Sequence, residues 1–76
     1  MNKNALISIM KLHGDNQSDL AKYLGISTQR CNAKINETDG AEFNQGEIKG
    51  IKRKYKLTAE QVDMIFFADD VSLQDT

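Results

Sequence analysis

A length of 76 residues and a formal net charge of −1 limit what this chain can be. The length suits one small domain, and 39% apolar with 28% charged residues is a globular composition. Because Cys31 is the only cysteine and His13 the only histidine, an intrachain disulfide and a four-ligand Cys/His zinc site are excluded. We expect no cofactor and no small-molecule ligand.

The sequence has no apolar run of membrane-spanning length and no signal-peptide core near its start. We therefore expect a cytoplasmic protein with no membrane partner. The near-zero net charge, taken alone, argues against nucleic acid as a partner. However, residues 1–59 carry ten Lys or Arg against six Asp or Glu, whereas residues 60–76 carry five carboxylates and no cation. The net charge of −1 is thus the sum of a mildly basic part, residues 1–59, and an acidic part, residues 60–76. It therefore does not exclude DNA as a partner.

Apolar residues recur at three- and four-residue spacing almost throughout, and no long stretch alternates with the period of a strand. The sequence therefore predicts a compact all-α fold of five helices. The first helix is expected over residues 4–13, ended by Gly14. The second is expected to begin at Asn16, with Asp19 in a capping box, and to end at Gly25.

The third helix is expected to follow at once, because Ser27 can cap it, and to end near Asn36. Cys31, Lys34 and Ile35 follow at three- and four-residue spacing, which predicts that they lie on its inward face. A polar, acidic loop is expected over residues 37–42.

The fourth helix is predicted to begin at Asn44, where Glu47 completes a second capping box. Phe43, just before the cap, is placed to pack against Ile48 about one turn into the helix. Gly50 inside this helix would let a neighbouring helix approach closely.

The fifth helix is predicted to begin at Thr58, with Val62, Ile65 and Phe66 on its apolar face, and to end near residue 68. The predicted domain thus spans residues 1–68. Residues 69–76 are expected to form a loose, acidic C-terminal tail.

The most specific feature is the join between the second and third helices. Ala21 and Gly25 are four residues apart: the small side chain lets the third helix cross closely, and the glycine permits a tight turn. Ile26 is placed to fill the corner and Ser27 to cap the next helix. This order of residue types is typical of a helix-turn-helix formed by the second and third helices.

The chain resembles the lambda-repressor-like helix-turn-helix domains of phage repressors and Cro proteins. The residues that carry this resemblance are Gln17, Leu20-Ala21, Leu24-Gly25-Ile26-Ser27 and Asn36. A later set is similar to small phage-encoded regulators that consist of this domain alone: Phe43-Asn44-Gln45-Gly46-Glu47-Ile48, Tyr55-Lys56-Leu57-Thr58 and Ile65-Phe66-Phe67. The resemblance covers about residues 4–67.

The resemblance implies that the third helix enters the major groove of double-stranded DNA. The base-reading residues that it implies are Thr28, Gln29, Arg30 and Asn32. The phosphate-binding residues that it implies are Gln17, Lys34 and Asn36. The side-chain chemistry agrees, because Gln and Asn amides can bond an adenine edge, Arg can bond guanine, and the Thr methyl can contact thymine.

The function that the resemblance implies is sequence-specific transcriptional regulation of the repressor or Cro kind. The alternative is a protein-binding module of the same fold, antitoxin-like or anti-repressor-like, without direct DNA binding. The chain departs from the family at Glu37, where relatives often carry glycine, and whether the acidic loop contacts or avoids DNA stays open. An enzyme is disfavoured, because the sequence has no nucleophile–base pair, metal set or phosphate-cradling loop.

Three further features each have two interpretations. For Cys31 an inert, buried thiol is favoured over a redox sensor, because the residue is on the inward face of its helix. For the basic run over residues 49–56 a solvated face is favoured over direct DNA contact. Phe66 and Phe67 are about 100° apart on a helix, so Phe67 either packs back over the first helix or, with Phe66, forms a homodimer contact.

Overall fold

The computed structural model describes residues 1–67, which form five α-helices and no strand. The helices are α1 (Lys3–Leu12), α2 (Gln17–Leu24), α3 (Thr28–Asn36), α4 (Gln45–Tyr55) and α5 (Ala59–Phe66). The prediction of a compact, all-α chain of five helices is confirmed for this range. The fifth helix ends at Phe66, with Phe67 as its C-cap, two residues before the predicted end near residue 68. The acidic tail predicted over residues 69–76 lies outside the described residues.

Side-chain caps determine where the helices begin. Complete capping boxes start α2, α4 and α5, formed by the pairs Asn16 with Asp19, Asn44 with Glu47, and Thr58 with Gln61. In each pair the two side chains accept hydrogen bonds from each other's backbone amides, which satisfies donors that a helix start leaves unpaired. The first helix begins one residue earlier than expected, because the Asn2 side chain accepts a bond from the Ala5 amide.

Each helix contributes one large, fully buried aliphatic side chain to a single core. These residues are Leu6, Leu20, Ile35, Ile51 and Ile65, and Cys31 is buried with them. Removing such side chains from water contributes about 1.5–3 kcal/mol each to folding. The third helix is thus held by the core along the face that carries Cys31 and Ile35.

The turn between α2 and α3 is tight because Gly25 adopts a left-handed conformation, with φ of +73°. The Ile26 amide donates a hydrogen bond to the Ala21 carbonyl, and Ala21 is only 1% exposed. The two helices contact each other, and Ala21 belongs to the core to which both contribute. The close approach predicted at Gly50 is also present, since a Cβ there would lie 3.3 Å from Cδ2 of Leu24.

A polar cluster joins the end of α4 to the turn between α1 and α2. The Tyr55 hydroxyl donates a 2.8 Å hydrogen bond to Asp15, and the Lys54 ammonium lies 3.2 Å from the same carboxylate. Lys54 also lies over the ring of Tyr23, 5.0 Å from its centroid. The bond from Tyr55, followed by that from Lys54, holds the pKa of Asp15 below its usual value.

The segment between α3 and α4 is more ordered than a simple loop, because Thr38–Gly40 forms one 3-10 turn. Glu37 and Asp39 have φ of +55° and +53°, in the left-handed region that favours glycine. A third non-glycine residue in this region is Lys56, which ends α4. None of the helices within residues 1–67 has the length and apolarity needed to span a membrane.

Candidate nucleic-acid interface

The third helix has one buried and one exposed face. Its inward residues are Cys31 and Ile35, at 0% and 1% exposure. The four residues predicted to read bases all lie on the exposed face: Thr28, Gln29, Arg30 and Asn32. Because the buried face is packed into the core, the exposed side chains project from a rigidly held helix.

The first turn of α3 presents polar side chains that form no hydrogen bond within residues 1–67. The Ser27 hydroxyl accepts a hydrogen bond from the Arg30 amide and fixes the start of the helix. Within residues 1–67 the side chains of Thr28, Gln29 and Arg30 form no hydrogen bond or ion pair. Their donors and acceptors face solvent and are available to a partner.

Three of the predicted site residues belong to one chain of hydrogen bonds. Asn32 Nδ2 donates to Gln17 Oε1 at 2.8 Å, and Asn36 Nδ2 donates to Asn32 Oδ1 at 3.0 Å. Lys3 Nζ then donates to Asn36 Oδ1 at 2.7 Å. This series, Lys3–Asn36–Asn32–Gln17, is called the amide chain below. It joins the starts of α1 and α2 to the exposed edge of α3.

Lys3 is the member of the amide chain that sequence reasoning missed. It lies 33 residues before Asn36, so no local spacing indicates their contact. The signal available was weak: a cation at the start of the first helix, where the macrodipole does not favour it.

Lys34 lies apart from the exposed site residues. It is 8% exposed, and its Nζ atom is 2.7 and 2.9 Å from the two carboxylate oxygens of Glu47. Because the ammonium is enclosed and paired, it does not face a phosphate in this conformation. The structure thus gives Lys34 a structural pairing with α4, and the phosphate-binding role expected for it stays a prediction.

Glu47 is held on two sides. Oε1 also accepts a hydrogen bond from the Asn44 amide, at 3.0 Å. Burial raises the pKa of this carboxyl, but the bonds from Lys34 and Asn44 outweigh burial, so its pKa lies below the usual value. Glu47 is therefore ionised near neutral pH, as its pairing with Lys34 requires.

Cys31 has the environment of an inert thiol. It is 0% exposed, and burial, followed by the Glu47 carboxylate, raises its pKa. The thiolate that redox and metal chemistry would need is disfavoured. The prediction that Cys31 is buried is confirmed.

Phe66 and Phe67 have different surroundings. Phe66 packs edge-to-face against Phe43, with 6.2 Å between ring centroids, so it is used inside the molecule. Phe67 is 45% exposed and Met64 is 49% exposed, both at the end of α5. Phe43, Phe66 and Phe67 also line a groove of about 410 Å³ beside the start of α4.

The charged segments face solvent to different degrees. In the basic run of α4, Lys49, Lys52 and Arg53 are exposed, whereas Lys54 is held in the polar cluster with Asp15. In the acidic loop, Glu37 and Glu42 are exposed. No group of three or more His, Cys, Asp or Glu within residues 1–67 could hold a metal ion.

Comparisons with protein-family models, with curated proteins and with solved structures found no match to this chain.

Proposed function

We propose that the chain is a sequence-specific, DNA-binding transcriptional regulator of the repressor or Cro kind. In this proposal α2 and α3 form a lambda-repressor-like helix-turn-helix, and α3 enters the major groove. The left-handed turn at Gly25 and the close packing at Ala21 support this arrangement.

The observation that carries the proposal is the unused first turn of α3. Thr28, Gln29 and Arg30 are exposed and form no hydrogen bond through their side chains within the described range, while the inward face of the helix, with Cys31 and Ile35, is held by the core. Arg30 can bond guanine bidentately, and Gln29 can do the same with adenine. A polar face held this rigidly suits a partner with a fixed pattern of donors and acceptors.

Contacts to the DNA backbone would lie beside this face. Gln17 is the first residue of α2, and Asn36 is the last residue of α3. The hydrogen bonds of the amide chain join them through Asn32, so these two residues would approach the DNA backbone beside a predicted base-reading residue. The mildly basic body adds attraction that is sensitive to salt.

A homodimer would let two copies of α3 read the two halves of a twofold operator. The exposed end of α5 is the surface that we propose for this contact, with Phe67 at its centre. Phe66 would lie beneath this contact surface, because its ring packs on Phe43.

The second candidate is the protein-binding module, and the groove lined by Phe43, Phe66 and Phe67 is the observation that favours it. Selection of binding sites from a pool of random double-stranded DNA separates the two functions. The proposal predicts enrichment of one sequence, and affinity for it that falls steeply as salt rises. Failure to enrich any sequence at physiological salt would contradict the regulator and favour the module.

A further inference from the structure

The amide chain has a direction that is set at Asn36, which lies between an ammonium that can only donate and a main-chain oxygen that can only accept. Lys3 Nζ is an ammonium nitrogen, which can only donate hydrogen bonds. The Asn36 amide must therefore turn its oxygen toward Lys3, as it does at 2.7 Å. The nitrogen of the same amide then faces Asn32, where it donates to both the main-chain oxygen and Oδ1 at 3.0 Å.

The same reasoning applies at Gln17, the other end of the amide chain. Because Oδ1 of Asn32 accepts from Asn36, its Nδ2 is turned toward Gln17 and donates to Oε1 at 2.8 Å. Gln17 Oε1 is thereby turned inward to Asn32, which leaves Nε2 as the end of the chain. A phosphate oxygen only accepts hydrogen bonds, so this orientation presents the group that a phosphate can use.

The amide chain also limits the hydrogen bonds that Asn36 can donate to a phosphate. Its nitrogen already donates twice to Asn32, so an uncommitted N–H is not left for a phosphate. The ammonium of Lys3, held beside Asn36, has three donors and uses one of them there.

We propose that Lys3 is a positioning residue for DNA binding, which acts together with the main-chain oxygen of Asn32 to fix the amide orientation of Asn36, and through it those of Asn32 and Gln17. The phosphate donors at this surface are then Lys3 Nζ at one end of the chain and Gln17 Nε2 at the other, with Asn36 as the link. This inference rests on the proposed function for its DNA contacts. The orientation of the amides is a property of the free protein.

The solvent exposure of the amide-chain residues determines whether their amide orientation affects folding stability or DNA affinity. Lys3, Asn32 and Asn36 are exposed, so in the free protein each bond competes with water and contributes little to folding stability. Against DNA, water is displaced and a wrongly turned amide would leave an oxygen facing a phosphate. We therefore expect Lys3 to affect DNA affinity far more than stability.

The orientation is tested by NMR of the side-chain NH₂ groups in the free protein. Lys3→Met removes the donor, Lys3→Arg keeps a cationic donor, and Lys11→Met removes one charge from the same helix outside the amide chain. We expect Lys3→Met to shift the NH₂ signals of Asn36, Asn32 and Gln17, and Lys3→Arg and Lys11→Met to leave them near their wild-type positions. Unchanged signals of Asn32 and Gln17 in Lys3→Met would overturn the proposed orientation.

The DNA arm uses the same variants on the sequence that the wild-type protein enriches. Loss of a correctly oriented phosphate donor, in addition to one charge, is expected to weaken binding about tenfold more in Lys3→Met than in Lys11→Met. Lys3→Arg should restore most of that difference. Equal losses in Lys3→Met and Lys11→Met would overturn the positioning role while leaving the regulator intact. Absence of DNA binding by the wild type would overturn the regulator and the phosphate contacts, and the NMR signals would still decide the orientation.

Discussion

Nζ of Lys34 lies 2.7 Å from Oε1 of Glu47, and this ion pair joins the inner side of α3 to the first turn of α4. Both side chains are about one-tenth exposed. The same carboxylate accepts the Asn44 amide in the capping box that begins α4. One side chain therefore starts a helix and also holds the neighbouring helix in place.

Lys34→Met should destabilise the fold rather than weaken DNA binding selectively. Removing the ammonium leaves the Glu47 carboxylate enclosed with its capping bond and the charge of Arg30, which forms no ion pair with it in the described residues. We expect a loss of about 2 kcal/mol in the free energy of unfolding. Urea unfolding measures this loss. The double variant Lys34→Met with Glu47→Gln should recover most of it, because glutamine keeps the capping box without a charge. A Lys34→Met protein of wild-type stability, with reduced salt dependence of DNA binding, would instead support the phosphate contact for Lys34.

Stability should fall in acid because of two carboxyls. The pKa values of Asp15 and Glu47 are both lowered in the folded state. Their stabilisation is therefore present above the unfolded values, about 3.9 and 4.3, and is lost as the pH falls through the lower folded values. Urea unfolding between pH 2 and pH 7 should show this decline. Tyr55→Phe should flatten the curve by removing the bond to Asp15, whereas Tyr23→Phe should keep its slope. Equal slopes in the two variants would contradict the assignment.

Lys56→Gly should stabilise the protein. Lys56 ends α4 with φ of +53°, a conformation that is unfavourable for residues with a Cβ atom. We expect a gain of about 0.5–1 kcal/mol, after the added chain entropy of glycine in the unfolded state. Lys52→Gly is the matched control, because it removes the same side chain inside the same helix and should destabilise by about 1 kcal/mol. Destabilisation of similar size in both variants would argue against strain at Lys56.

Phe67→Ser should weaken the proposed homodimer. Phe67 is 45% exposed and Leu12 is 84% exposed, so serine at either position removes an exposed apolar side chain. We expect Phe67→Ser to raise the dimer dissociation constant at least tenfold, as interface aromatics commonly do, and Leu12→Ser to leave it unchanged. Sedimentation equilibrium measures both. A wild-type protein that stays monomeric at high concentration would rule out this contact.

Much of the fold could be predicted because its determinants are local. Asn16, Asn44 and Thr58 each have a capping partner three residues on, and all three begin helices where expected. Gly25 likewise provides the left-handed turn that its position indicated. Caps and turns depend on neighbouring residues, so a single sequence displays them.

The parts that could not be predicted depend on distant contacts. Lys34 has inward spacing on its helix, but only the position of Glu47, 13 residues away, shows where its charge is paired. The bond between Tyr55 and Asp15 spans 40 residues, and that between Lys3 and Asn36 spans 33. The left-handed conformations of Glu37 and Lys56 were missed because glycine is the usual signal for them.

The most direct test of the account is a binding titration of Arg30→Ala and Gln29→Ala on the enriched DNA sequence and on its single-base variants. The wild-type protein should lose about 1–3 kcal/mol of affinity for each base change at a contacted position. Each alanine variant should lose a similar amount on the enriched sequence and become indifferent to the base at one position, with unchanged stability. If both variants bind the enriched sequence as tightly as the wild type at physiological salt, and keep its base preferences, then α3 is not the reading helix and the central claim is wrong.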